Sequence, residues 1–137
     1  MKMPDEFSDI LLAPCGMNCA LCYAYLRKKK PCLGCNGVDT AKPNHCRVCK
    51  IKDCLTTHGL TFCHECASFP CILIKNLDKS YQKRYQVSLI EMTRRHESLG
   101  AEAYLKEEKN KWLCAACGGV ITIHGKTCSE CGLLTPC

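Results

Sequence analysis

Nine aromatic residues among 137, a single tryptophan and no long apolar run leave little material for a large core. The 47% hydrophobic fraction counts sixteen cysteines, and without them it falls to about 35%. That is too little for burial alone to hold a conventional domain of this length together. No stretch approaches the roughly 20 apolar residues of a membrane-spanning helix, so no membrane partner is expected. The segment from Met1 to Pro14 has no basic region, and its apolar stretch, Ile10 to Ala13, is short. A secretory signal is therefore not expected, and a cytoplasmic, reducing location is.

Catalytic signatures are missing as well. The sequence has no H-E-x-x-H, no H-x-E followed by P-C-x2-C, no glycine-rich phosphate loop and no G-x-S-x-G. A catalytic zinc keeps an open position beside a general base, whereas all-thiolate sites are closed. Enzyme activity is thus not the expectation.

What the chain has is thiol, at one position in nine. In a reducing compartment, paired cysteines at short spacing bind metal in preference to forming disulfides. They fall in two territories separated by the 42 cysteine-free residues from Ile72 to Leu113. The expected organisation is a cysteine-rich multi-metal region at 1–71, a helical segment at 72–111 and a zinc ribbon at 112–137. The fold class expected is a small metal-stabilised α+β protein, with irregular zinc knuckles first and a ribbon β-hairpin last.

The C-terminal set is Cys114-x2-Cys117-Gly118 and Cys128-x2-Cys131-Gly132, with ten residues between the pairs. Each pair forms a turn whose two thiolates converge, and two such turns complete a tetrahedron. Structural zinc fits this pattern, and a rubredoxin-like iron site shares it. Val120, Thr122 and His124 alternate with Ile121 and Ile123, which predicts a strand between the knuckles.

The N-terminal set comprises Cys15-x3-Cys19-x2-Cys22, Cys32-x2-Cys35, Cys46-x2-Cys49-x4-Cys54 and Cys63-x2-Cys66-x4-Cys71. The last two share one spacing, 17 residues apart. Joining successive knuckles puts Cys19, Cys22, Cys32 and Cys35 on one ion and Cys46, Cys49, Cys63 and Cys66 on another. Cys15, Cys54 and Cys71 remain, and with a histidine they would make a further site. His58 is the histidine chosen, with His45 and His64 as alternatives. About three to four Zn2+ ions are expected, an iron–sulfur cluster in the N-terminal region being the alternative. The first triplet has the spacing of radical S-adenosylmethionine enzymes, but the chain is too short for their barrel. Cys137 has no partner in any scheme.

The middle segment reads as helix. Ile74, Leu77, Tyr81 and Tyr85 form one apolar stripe over Cys71 to Tyr85. Ser88 with Glu91 predicts a capping box, with Val87 and Met92 as its staple, for a helix ending at Leu99. Gly100 is expected to end it in a left-handed conformation. A third helix, Ala101 to Lys111, is supported by Glu102 with Lys106 and Glu107 with Lys111.

Ala13 to Cys22 (APCGMNCALC), then PCLGC, a C-x2-C-x4-C and FCHECASFPC resemble a family of cysteine-rich bacterial and archaeal proteins known only as a domain of unknown function. The resemblance spans about residues 10–80 and implies metal binding, of zinc, through the matching cysteines. It implies no activity.

The function expected is therefore a structural zinc protein acting as a binding or adaptor module with a protein partner. The formal charge of +6 and the basic groups Arg27 to Lys30, Lys50 with Lys52, Lys83 with Arg84 and Arg94 with Arg95 raise a nucleic-acid-binding alternative. Four thiolates around Zn2+ carry −2, however, so three filled sites bring the net charge to about zero. Thiol redox or metal handling is the third alternative.

Overall fold

A computed structural model describes residues 1–134. Cys137, expected as a lone terminal thiol, lies outside them. The regular structure is helical: α1 (Tyr23–Leu26), α2 (Asn44–Arg47), α3 (Lys50–His58), α4 (Ile72–Tyr85), α5 (Leu89–Leu99) and α6 (Ala101–Lys111). Short 3-10 turns at Asp9–Leu11, Cys19–Leu21 and Cys63–Glu65 complete it.

The three long helices start and stop close to where the pattern puts them. Cys71 caps α4, and the Ser88 Oγ accepts the Glu91 N–H at 3.2 Å to cap α5. Gly100 has the positive φ expected of it, 82°, but its ψ of 160° lies outside the left-handed helical region. It closes α5 and opens α6 in one step, which a left-handed cap does not do. Glu102 meets Lys106 at 3.9 Å, but Glu107 turns from its own helix to Arg95 on α5, with two contacts of 2.9 Å. The planar guanidinium offers a carboxylate a paired geometry that an exposed lysine does not.

Helix α5 packs between α4 and α6, α3 lies on α4, and the turn at Asp9–Leu11 lies on α6. One apolar cluster joins Leu12, Met17 and Leu21 to Leu89, Tyr104, Leu105, Trp112, Val120 and Ile123. A second, smaller one holds Ile51, Leu55, Cys63 and Ile74. Residues from all along the chain thus share the main core.

The β-hairpin is a correction. Among the described residues there is no strand or sheet, only isolated antiparallel bridges such as Leu113 with Val120 and Ile121 with Cys128. The reason lies in where successive amides of the expected strand go. Val120 donates to Met1 O, Ile121 to Trp112 O, Thr122 to Thr127 O and Ile123 to Leu21 O, at 2.9–3.0 Å. Each flanking segment is held through one bridge, Leu113 with Val120 and Cys128 with Ile121, and neither bridge is followed by a second, so no ladder forms. Val120, Ile121 and Ile123 are all buried, on both sides of the extended segment.

Candidate metal centre

The C-terminal thiols are built by two copies of one turn. Cys114 N–H donates to Gly119 O, and Gly118 N–H donates back to Cys114 O, both at 2.9 Å. Fourteen residues later Cys128 donates to Leu133 O and Gly132 to Cys128 O, both at 3.0 Å. Gly118 and Gly132 have the same positive φ, 76° and 75°.

The two turns face each other. Cys114 Sγ lies 3.9 Å from Cys131 Sγ, Cys117 Sγ lies 3.5 Å from Cys128 Sγ, and all four sulfurs lie within 4.8 Å of one another. A tetrahedron with metal–sulfur bonds of about 2.3 Å has edges of about 3.8 Å, so four thiolates at these separations fit one ion. Gly119 is required here by space: a Cβ would lie 2.7 Å from Cys128 Sγ and 3.3 Å from Cys117 Sγ. Cys114 and Cys128 are buried, Cys117 is half-buried and Cys131 is exposed, so the centre sits at the core edge.

Backbone amides point at the sulfurs. Glu130 N–H reaches Cys128 Sγ at 3.4 Å, and Ser68 N–H reaches Cys66 Sγ at the same distance. The amides of Met17, Ala24 and Gly119 likewise face Cys15, Cys22 and Cys117. In all five the donor is two residues after the cysteine, the arrangement that stabilises thiolate in a knuckle. Burial raises the Cys128 thiol, but the Cys131 and Glu130 amides and the neighbouring thiols more than offset it and bring it to about 6.

The eleven N-terminal thiols gather in two neighbourhoods. Burial pushes Cys15 up strongly, and Cys19, Cys35 and Cys49 add to the effect. Burial also raises Cys46, to about 11, reinforced by Cys22, Cys32, Cys35 and Cys49. These seven form one group. Cys63 belongs to the other, raised to about 12 by burial and then by Cys71, Cys54, Cys66 and Cys49. Outside the C-terminal four, no three ligand atoms among the described residues stand within 4.8 Å of one another.

Of the leftover trio of the spacing argument, Cys15 stands with the first group but packs, as Cys49 and Cys71 do, against the small cluster around Cys63, and Cys54 stands beside Cys63. His58 stands one turn beyond Cys54 on α3, its Nδ1 2.7 Å from Cys54 O and 3.7 Å from Cys54 Sγ. Cys32, like Cys63, is buried.

Two lysines serve the first group in a way that spacing does not reveal. Lys42 is buried, its Nζ donating to Cys35 O and Asp39 Oδ1 at 2.8 Å each. Lys52 Nζ donates to the same Cys35 oxygen at 2.7 Å. Burial raises the Cys35 thiol, and both ammonium groups oppose the rise. A buried cation is costly without an anionic partner, and the Asp39 carboxylate supplies one to Lys42. In sequence Lys42 is one basic residue in a polar loop, and only the return of that loop onto Cys35 gives it a role.

Residues 11–76 match a family described as a protein of unknown function (DUF3795). The match covers 66 of 137 residues, a little under half of the chain. It takes in the N-terminal cysteines and the start of α4, but not the C-terminal four. No curated protein and no solved structure matches. Among the described residues no helix is long and apolar enough to cross a membrane.

Proposed function

We propose that the protein is a metal-stapled binding or adaptor module, with one structural zinc held by Cys114, Cys117, Cys128 and Cys131 and further ions among the N-terminal thiols, about three to four in all. The observation that carries this is the C-terminal tetrad, a doubled turn that brings four sulfurs to tetrahedral separation around a glycine with no room for a side chain. Such a set, a ribbon-type site built from turns rather than a β-hairpin, leaves no open position for substrate.

The reading of a protein partner over nucleic acid draws support from four of the ten clustered basic residues, which are engaged within the chain. Arg27 donates to Lys30 O and Ala41 O, Lys52 to Cys35 O, and Arg95 pairs with Glu107, while Arg94 lies over the Phe69 ring. Exposed Leu33, Val38 and Val48 add apolar surface in the cysteine-rich region, of the kind protein contacts use.

Metal determination on anaerobically purified protein, with an absorption spectrum, tests the reading. It expects zinc at three to four equivalents and no visible charge-transfer bands. Stoichiometric iron with such bands and little zinc would overturn it.

A further inference from the structure

Helix α3 carries Cys54 one and a half turns beyond Cys49, which caps its start. Five residues of α-helix rotate a side chain by about 140°, so these two cysteines face different surroundings. Cys49 is a neighbour of Cys15 and Cys35 and, from its own side of the helix, also of Cys63. Cys54 instead faces the loop that precedes α4 and the first turn of α4 itself.

There it meets a cavity of about 30 Å3 lined by Cys54, Cys63, Cys66 and Cys71, the rest of the wall being Ile, Leu and Phe side chains. About 10–15 Å3 holds one water-sized sphere, so the space is that of a single ion. No side-chain oxygen or nitrogen lines it, which leaves a hard cation without ligands and favours one that prefers sulfur.

Three elements converge on it. Cys54 comes from α3, Cys63 opens the 3-10 turn Cys63–Glu65 and Cys66 closes it, and Cys71 caps α4 with no side-chain hydrogen bond to its first amides. The Ser68 amide at 3.4 Å faces Cys66 in the knuckle manner, as Glu130 faces Cys128. Cys63 is buried and Cys54 exposed, so the cavity has a closed floor and a solvent side.

From this geometry we propose that Cys54, Cys63, Cys66 and Cys71 form a second all-thiolate centre that takes one divalent ion of the zinc class. The proposal deepens the reading that the N-terminal thiols bind metal, and it is independent of the C-terminal tetrad. It replaces the pairing that spacing suggests, in which Cys63 and Cys66 share an ion with Cys46 and Cys49. Four thiols release four protons to solvent on binding, and the filled centre carries −2. The four sulfurs are not yet within 4.8 Å of one another, so rotation of thiols about χ1 must bring them onto the ion.

The test uses the full chain, reduced, stripped of metal and reloaded with 113Cd, a spin-active ion of the same coordination preference. Proton–cadmium correlation spectra link each ion to the β-protons of its own ligands. The expected result is one cadmium signal coupled to Cys54, Cys63, Cys66 and Cys71 and to no other residue. A signal joining Cys63 and Cys66 to Cys46 and Cys49 would overturn the proposal while leaving N-terminal metal binding intact. Absence of cadmium coupling to every cysteine before Ile72 would overturn both. A second measurement is the metal content of Cys54→Ser and Cys46→Ser. Cys54→Ser loses that one signal and weakens binding of one equivalent at least tenfold, whereas Cys46→Ser retains it. Loss of the signal in Cys46→Ser with retention in Cys54→Ser would count against the site.

Discussion

Gly16 sits so close to Thr93 on α5 that a Cβ built on the glycine would overlap the threonine hydroxyl. The same atom would lie 2.7 Å from the Leu89 carbonyl oxygen, and the glycine φ is +98°. The glycine that follows Cys15 is therefore where the cysteine-rich loop lies directly on a helix backbone. Gly16→Ala is expected to destabilise the metal-loaded protein by on the order of 3 kcal/mol, read as a shift in denaturation midpoint. Adding Thr93→Ala should not restore it, because the Leu89 carbonyl remains in the way. Recovery in the double variant would place the conflict in the side chain alone.

Trp112, the only tryptophan, is buried and immediately precedes the first C-terminal knuckle. It shares the main core with Leu21, Leu89 and Val120. Cys114→Ser is expected to lose one metal equivalent, shift tryptophan emission to the red and lower the unfolding midpoint by on the order of 10 °C or more. Because the core is shared, the loss should also loosen the segment around Leu21, visible as faster hydrogen exchange at the Ile123 amide bonded to Leu21 O. Unchanged emission in the metal-depleted variant would show that the turns form without an ion.

Asp78 is a buried carboxylate within the apolar side of α4, and it holds the start of α5. It accepts the Ser88 hydroxyl at 2.8 Å and the Ile90 N–H at 3.0 Å. Burial alone would raise its pKa, but these bonds and one from Gln82 outweigh it and hold the carboxyl below its ordinary 3.8. With the folded value below the unfolded one, its contribution is complete above about pH 4 and is lost as pH falls through the folded value. Asp78→Ala should cost about 2 kcal/mol at neutral pH by leaving the Ile90 amide and Ser88 hydroxyl unpaired. Urea midpoints of the two proteins should converge on acidification. A constant difference down to pH 3 would contradict the assignment.

His124 gives a second, separate pH window. Its Nδ1 accepts the Tyr23 N–H at 3.4 Å, and its ring lies edge-on to Tyr23 and Tyr85 at 4.9 and 4.7 Å. Burial, with His45 nearby, lowers its pKa from 6.5 to about 4. Between those values the unfolded chain holds more protons, so stability falls as pH falls through 6.5 and levels out near 4. His124→Phe should flatten the profile in that window relative to the native protein, the difference cancelling metal loss common to both. Parallel profiles would show that the imidazole stays solvated.

The helices were legible because their signals are local. The Ile74 to Tyr85 stripe, the Ser88 cap and the break at Gly100 each lie within a few residues of the feature they set. Asp78 was not legible: on an apolar stripe it looks like an exception, and its role depends on where Ser88 and Ile90 arrive. The strand at 120–124 misled because burial on two sides can mimic alternation, while each flanking segment is held through one bridge that no second one follows.

The sequence by itself determined the chemistry of the two C-terminal knuckles, since two cysteines three residues apart with a glycine behind them are held by a single turn. It did not determine which knuckles meet. Closing a loop of 17 residues instead of 10 differs by only about half a kcal/mol, so spacing barely discriminates between pairings. Only the tertiary structure brings thiols of different turns together, as in the packing of α3 on α4 that lines one cavity with Cys54, Cys63, Cys66 and Cys71.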